Sequence, residues 1–497
     1  MSSSPTDLSV RLPKVYAIGF TGDSSVVDEG MCRRPIERFL SEQRGVADRI
    51  LYGVSSLAAG GQLIFAESCI ALGVPLRLLL PAGRDRFLSD SSAQVRDRFE
   101  PVIDGAMSVE IAGGEASPDE GSYERGLQTV QLCQELLALW DGRPPQKLGD
   151  TGEIVAFARQ MHRPVTWIQS ETGAVQTIDE RGVRDGVPEE ELNFLNSLPS
   201  AGITVGSGDA STLVELWLAK LDVNAARLAP QVRRLAAGPI VCTALAAFVS
   251  AASQTIHASW TEVGGAVLGL TAAVLPAMLG LGKRQALWVR LRTAAEVSRS
   301  VLALWDTPVR YQVVGPEILP ELNSMIRSLD FLKAQAGQRD KIGVVEFKAQ
   351  YLETRLLDQM KYFLRQSVHS ADRGRRYRLV SKVCAGGAIL MLIWVFISRY
   401  LVKTGHLSPR VSWLPLVASA LFQMATIAGA LLVVNECERR ERRYREIHRS
   451  LADWDAELRA FHTWPPVIEV VSKIERALLV ELLEWRSLLK NMKMPRN

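Results

Sequence analysis

Two apolar runs stand out from the polar background of this chain. Residues 380–402 read VSKVCAGGAILMLIWVFISRYLV, and residues 413–434 follow after the polar turn KTGHLSPR. Each is long enough to cross a hydrocarbon core of roughly 30 Å as a helix. Arg373, Arg375, Arg376, Arg378 and Lys382 precede the pair, and Arg439, Arg440, Arg442, Arg443 and Arg445 follow it. Basic residues at both outer ends predict a hairpin whose ends face the cytoplasm. A softer pair of apolar runs, 239–256 and 263–281, is rich in Ala and Gly. It is flanked by Arg233 and Arg234 on one side and by Lys283, Arg284, Arg290 and Arg292 on the other. Its turn, HASWTE, puts Trp260 at the outer interface. Gly265 and Gly269 form a GxxxG spacing that permits close helix packing. The pattern therefore predicts an all-α membrane domain with four transmembrane helices in two hairpins.

The first 190 residues have a different rhythm. Short apolar runs at 15–20, 50–54, 74–80, 109–112, 135–140 and 164–168 read as strands. Amphipathic or helix-forming stretches at 31–48, 62–72, 123–133 and 152–161 lie between them. Strands alternating with helices predict an α/β doubly wound, Rossmann-like domain with a parallel sheet. The expected organisation is a nucleotide-type domain at 1–190, a linker and entry helix at 191–236, and a first hairpin with its exit helix at 237–310. Cytoplasmic helices at 311–379, the second hairpin at 380–434 and C-terminal cytoplasmic helices at 435–497 complete it.

Composition narrows the function classes. A net charge of +4 is modest, and the Arg clusters sit beside the apolar runs. That suits juxtamembrane anchoring on a lipid bilayer better than nucleic-acid binding, which is not expected. The cysteines are Cys32, Cys69, Cys133, Cys242, Cys384 and Cys437; none forms a CxxC pair. They predict a reducing compartment and no metal site. The N-terminus has no basic-plus-apolar signal segment. The expected location is a bacterial inner membrane, multi-pass, with both termini cytoplasmic.

Candidate chemistry sits in the turns that follow the strands. In a doubly wound sheet, ligands bind outside the carboxyl ends of the strands. Four small, Gly-rich turns fall there: 19–24, 55–61, Asp141-Gly142 and 149–152. Small residues let a phosphate approach the backbone and the free N–H groups of a helix start. The turns themselves bring Asp23, Ser24, Gly61 and Asp150 into the candidate ligand-binding set.

These residues carry a resemblance to the SLOG superfamily over roughly residues 13–170. It rests on IGFTGDSS, GVSSLAAGGQLIFAE, VPLRLLLP and LLALWDGRPPQKLGDTGEIVAFARQMHRPVTWI. Family members bind, and sometimes cleave, nucleotides or nucleotide-derived second messengers. The resemblance assigns Gly19, Thr21 and Gly22 to a first loop and Ser55, Ser56, Gly60 and Glu67 to a second. Asp141, Gly142, Gly149 and Thr151 go to a third. The chain departs from the family where Gly-His-Arg, Gly-Ala-Asp and Gly-Gly-Thr are usual. It has Gly22-Asp23-Ser24, Gly60-Gly61-Gln62 and Gly149-Asp150-Thr151 instead. The lost basic side chains point away from phosphate cleavage and leave no catalytic residue assigned.

The second hairpin and its neighbours resemble SLATT domains, two-helix membrane effectors found beside SLOG domains in bacterial conflict systems. Tyr351, Leu352, Arg355, Leu356, Gln359, Tyr362, the basic exit at 439–449 and the stretch ERALLVELLEW at 475–485 carry that likeness. Together the two resemblances imply a membrane effector. Its N-terminal domain would sense a nucleotide or NAD-derived ligand and control a pore or membrane disruption by a homo-oligomer in antiphage defence. A membrane-tethered nucleotide-cleaving enzyme and a transmembrane scaffold or transport subunit are the rival readings.

Overall fold

The computed structural model describes residues 10–24, 26, 28–112, 117–178, 186–200, 209–256, 259–278, 281–307, 319–336, 342–404 and 414–491. The chain divides into two compact units. One comprises residues 1–220 with 297–342, the other 221–296 with 343–497. The chain thus passes between them inside two helices and once more beyond residue 342. Segments 297–310 and 311–342, expected as a hairpin exit and cytoplasmic helices, belong to the α/β unit.

In the α/β unit, seven strands form one sheet: β1 (Val15–Gly22), β2 (Ile50–Ser56), β3 (Leu76–Leu80), β4 (Ser108–Ile111), β5 (Glu135–Trp140), β6 (Val165–Gln169) and β7 (Val175–Ile178). Their order is β4-β3-β2-β1-β5-β6-β7. All neighbours are parallel except β6 and β7, which are antiparallel. The antiparallel edge strand lies inside the expected 1–190 domain, beyond the last strand expected there. It follows a turn in which Gly173 has a φ of 68°.

Helices cover both faces. α1 (Glu29–Arg44), α2 (Gly61–Ala71), α3 (Arg84–Asp90), α4 (Ala93–Gly105), α5 (Pro118–Leu132) and α6 (Thr151–Gln160) are the crossovers, and α7 (Gly186–Ser197) follows. Side chains alternate along each strand, so one strand feeds two cores. Ile18, Phe20, Leu78, Leu80, Leu137 and Leu139 meet Ile36, Phe65 and Phe99 of α1, α2 and α4. Ala17, Tyr52, Leu79, Leu136 and Ala138 meet Val130, Ile154 and Val155 of α5 and α6.

That second face is completed by a helix from far along the chain. After α8 (Ala210–Ile256), α9 (Ser259–Met278) and α10 (Leu281–Ala303), helix α11 (Asn323–Gln335) packs onto the sheet. Phe331 sits in the second core, its ring 5.2 Å from that of Tyr52. Arg77 of β3, with a side chain only 2% exposed, pairs with Asp330 at 2.7 Å and with Glu110 of β4 at 2.5 Å. Ser328 Oγ donates to Pro13 O at 2.6 Å.

The other unit is helical. α12 (Val344–Tyr351) runs through a π-turn (Leu352–Leu356) into α13 (Leu357–Lys403), and then come α14 (Leu414–Val434), α15 (Cys437–Ala460) and α16 (Trp464–Asn491). α13 is 47 residues long, about 70 Å at 1.5 Å per residue. Its apolar half and α14 are the helices long and apolar enough to cross a membrane, among the described residues. Only 11% and 18% of their most apolar windows are buried, which separates them from the core helices of a soluble protein. Leu390, Phe396 and Val383 are each more than 60% exposed. The two helices pack through small residues: Cys384 and Ala388 on α13, and Ala418, Ala425 and Ala428 on α14, are buried.

The softer pair is α8 and α9. Its apolar stretches among the described residues are the shorter Gly238–Ser250 and Val263–Ala272. Gly265 lies against the α8 backbone at Ala246 and Ser250, whereas a Cβ on Gly269 would meet nothing within 4 Å. One glycine of the GxxxG pair serves packing and the other does not. Trp413 and the turn residues 257 and 258 lie outside the described residues.

Candidate functional site

The sheet reverses direction of growth at β1. Strands β2, β3 and β4 build outward on one side, and β5 and β6 on the other. The carboxyl ends of β1 and β5 therefore flank the topological switch point, where a doubly wound sheet leaves a crevice. Gly22 and Asp23 leave β1 there, Asp141 and Gly142 leave β5, and Gly60 and Gly61 open α2 alongside.

Glycine is demanded at this crevice by backbone crowding. Gly60 has a φ of 84°, and a Cβ on it would lie 2.6 Å from Asp23 O and closer still to Ser24 O. Gly61 N donates to Asp23 O at 3.0 Å, and Asp23 N donates to Leu139 O at 3.1 Å. A Cβ on Gly61 would meet Leu139 Cδ2 at 2.9 Å. The first and second turns are thus locked backbone to backbone across the switch point.

The third turn is held by its own acids. Asp150 Oδ2 accepts from Gln146 N and Lys147 N, both at 2.9 Å, and Glu153 Oε2 accepts from Gly149 N at 2.8 Å. Gly149 has a φ of 83° and leaves no room for a side chain against Tyr123 N. Asp150, at the N-cap of α6, makes no side-chain bond to the helix start, and the two carboxylates of the turn occupy loop amides that a phosphate would otherwise use.

Asp23 is the half-buried carboxylate of the crevice. Burial raises it above the ordinary carboxylate range; the Thr151 hydroxyl works the other way, and the negative charge of Asp141 adds to the rise. The Asp141 backbone and the Ser170 side chain also bond to it. Asp141 Oδ1 accepts from Arg143 N at 2.9 Å. Cys32 borders this group, its thiol donating to Ser170 O at 3.6 Å and pushed up by burial, then by Asp28 and Asp23. Ser170 and Cys32 were not singled out in the sequence, because nothing in their own neighbourhoods marks them. Below Gly142 (φ 85°) the indoles of Trp140 and Trp167 stand 5.5 Å apart, and Trp167 Nε1 donates to Trp140 O at 2.8 Å.

Other residues of the expected set have different surroundings. Gly19 lies inside β1, where its missing side chain admits Cys133 and Thr129 of the α5 end. Thr21 and Ser55 are buried in their strands, Ser55 Oγ donating to Ser56 O at 2.7 Å. Ser24 and Ser56 reach the rim. Glu67 belongs to an ion-pair network among helices. Arg33 and Arg98 both donate to it, Arg98 Nε at 2.8 Å, and Arg98 also pairs with Glu29 at 2.9 Å. Burial acts to raise the Glu67 carboxyl, and the two guanidiniums outweigh it and hold it below the usual range. A carboxylate so clamped is a poor proton acceptor.

The crevice can therefore accept hydrogen bonds at Asp23 and Asp141, while the amides of Asp23, Gly61 and Gly149 are already taken within the turns. Among the described residues no group of three or more His, Cys, Asp or Glu side chains is placed to hold a metal ion. No family model, curated protein or solved structure matches the chain.

Proposed function

We propose that this protein is a membrane effector whose α/β unit senses a nucleotide-derived messenger. The observation that carries the reading is one chain joining a glycine-shaped switch-point crevice to a hairpin of exposed apolar helices. Asp23 and Asp141 suit the ribose hydroxyls or the base amino group of such a ligand, since carboxylates accept those donors. Glu67, clamped by Arg33 and Arg98, is poorly suited to act as a base, which favours sensing over turnover.

In this reading α13 and α14 cross the bacterial inner membrane and keep both basic ends in the cytoplasm. The α8 and α9 stretches supply a second hairpin, making four spans. Two hairpins are too few to enclose a lumen by themselves, so a pore requires several copies of the chain, and defence by membrane disruption is the outcome that fits. A ligand can drive it only by binding the active state more tightly than the resting one.

The test uses the full chain in nanodiscs, melted against nucleotides, cyclic nucleotides and NAD derivatives. A specific ligand that is not consumed raises the melting temperature, and the same ligand releases dye from liposomes carrying the protein. A compound that binds and is turned over would replace the sensor with the tethered enzyme. Binding with no leakage would remove the effector role.

A further inference from the structure

Three helices of the α/β unit begin at the crevice, and each has an acid of this chain at its start. α1 is capped by Asp28, whose carboxylate accepts from Met31 N at 3.1 Å, and Glu29 stands in its first turn. The first amide of α2, Gly61 N, is spent on the main-chain oxygen of Asp23 at 3.0 Å. α6 carries Glu153 in its first turn, bonded to Gly149 N, and Asp150 just before it holds Gln146 N and Lys147 N. A helix start attracts an anionic ligand through its N–H groups and the positive end of its dipole. At this crevice the chain's own oxygens already stand in those places.

The basic side chains of the β5–α6 turn are also matched by carboxylates. Arg143 Nε lies 3.3 Å from Asp141 and its Nη2 lies 3.8 Å from Glu171, while Lys147 Nζ lies 4.0 Å from Asp119. What the crevice offers instead is acceptors. Asp23 is half-buried, bonded by the Thr151 and Ser170 side chains and by the Asp141 backbone, and Asp141 accepts from Arg143 N. A carboxylate has about four acceptor positions, so the bonds among the described residues leave positions open on both acids. A phosphate placed beside them meets like charge. A hydroxyl, an amino group or a cationic ring gains from the same acids.

We propose that the crevice recognises the unphosphorylated end of its ligand: a nucleoside, neutral or positively charged on its base, whose ribose hydroxyls or base amino group donate to Asp23 and Asp141, with an added phosphate weakening binding. This rests on the sensor reading and names the ligand class for the same site. Asp23 and Asp141 are its specificity-determining residues.

The experiment is melting of the full chain in nanodiscs of zwitterionic lipid, titrated with matched pairs. Adenosine, guanosine, cytidine, uridine and nicotinamide riboside are each set beside their monophosphates, and inorganic phosphate is a separate arm. At least one nucleoside is expected to raise the melting temperature, with a Kd at least tenfold lower than that of its monophosphate. Inorganic phosphate is expected to give no shift. Asp141→Asn should weaken the nucleoside and narrow the gap to its monophosphate; Asp23→Asn does the same if Asp141→Asn does not fold. A merely structural role for these acids would move the melting temperature of the unliganded protein and leave that ratio unchanged, which overturns the assignment. A monophosphate that binds as tightly as its nucleoside, or tighter, overturns the proposal and leaves the sensor reading standing. Loss of that tighter binding in Arg143→Gln would then assign the phosphate to Arg143. No shift with any compound removes the proposal and the sensor reading together.

Discussion

Asp23 has a carboxyl raised by burial, opposed by Thr151 and reinforced by Asp141. A carboxyl raised in the folded state contributes most at low pH, and the contribution is lost as pH rises through the folded value. At neutral pH the ionised form is therefore a burden. Asp23→Asn should raise the melting temperature at pH 7, with the gain shrinking as the pH is lowered and the wild-type group takes up its own proton. Melting curves across that range check it. Gly60 is a second point of control, because its positive φ and the closeness of Ser24 O exclude a side chain. Gly60→Ala should cost about 1–3 kcal/mol from the backbone conformation alone, read by chemical denaturation of the full chain. The need for glycine at 60 and 61 was legible as a Gly-rich turn. The bond from Ser170 to Asp23 was not, because residues 147 positions apart meet only when β5 and β6 lie beside β1.

Strands and crossover helices were legible element by element, since apolar runs of strand length alternate with helical ones. Three kinds of element escaped that reading. No element was expected where the edge strand β7 stands, and none between β3 and β4, where α3 and α4 lie. α11 showed its helical period but not its place. It is recruited to the sheet by Phe331 and by the buried pairing of Asp330 with Arg77, a polar residue in an apolar strand. Arg77→Met takes the buried guanidinium away from the partly buried carboxylates of Glu110 and Asp330. Removing one partner of such a group costs about 3 kcal/mol or more. The expected result is loss of exchange protection over Asn323–Gln335 together with β3 and β4. Protection lost in β3 and β4 alone would show that α11 holds by its apolar face.

For the molecule as a whole, the exposed apolar length of α13 makes membrane attachment measurable. Leu390 is 69% exposed in the middle of the apolar run. An Arg there costs about 2.5–3.5 kcal/mol on insertion scales. Leu390→Arg should move part of the protein out of the carbonate-resistant membrane fraction. Val345→Arg, at a position 70% exposed on α12, should not. Tyr351 and Arg355 acquire a physical role only here, where Glu475 meets them from 124 and 120 positions away. By itself the sequence determined the doubly wound unit, the apolar hairpin and the glycine turns, because each is written in local periodicity or in a residue type with one conformational use. Only the tertiary structure decided that residues 297–342 return to the α/β unit, that Glu67 is clamped by arginines, and that Arg355 joins α10 to α16. Those outcomes depend on charged side chains finding partners across long separations, and no local pattern encodes a partner.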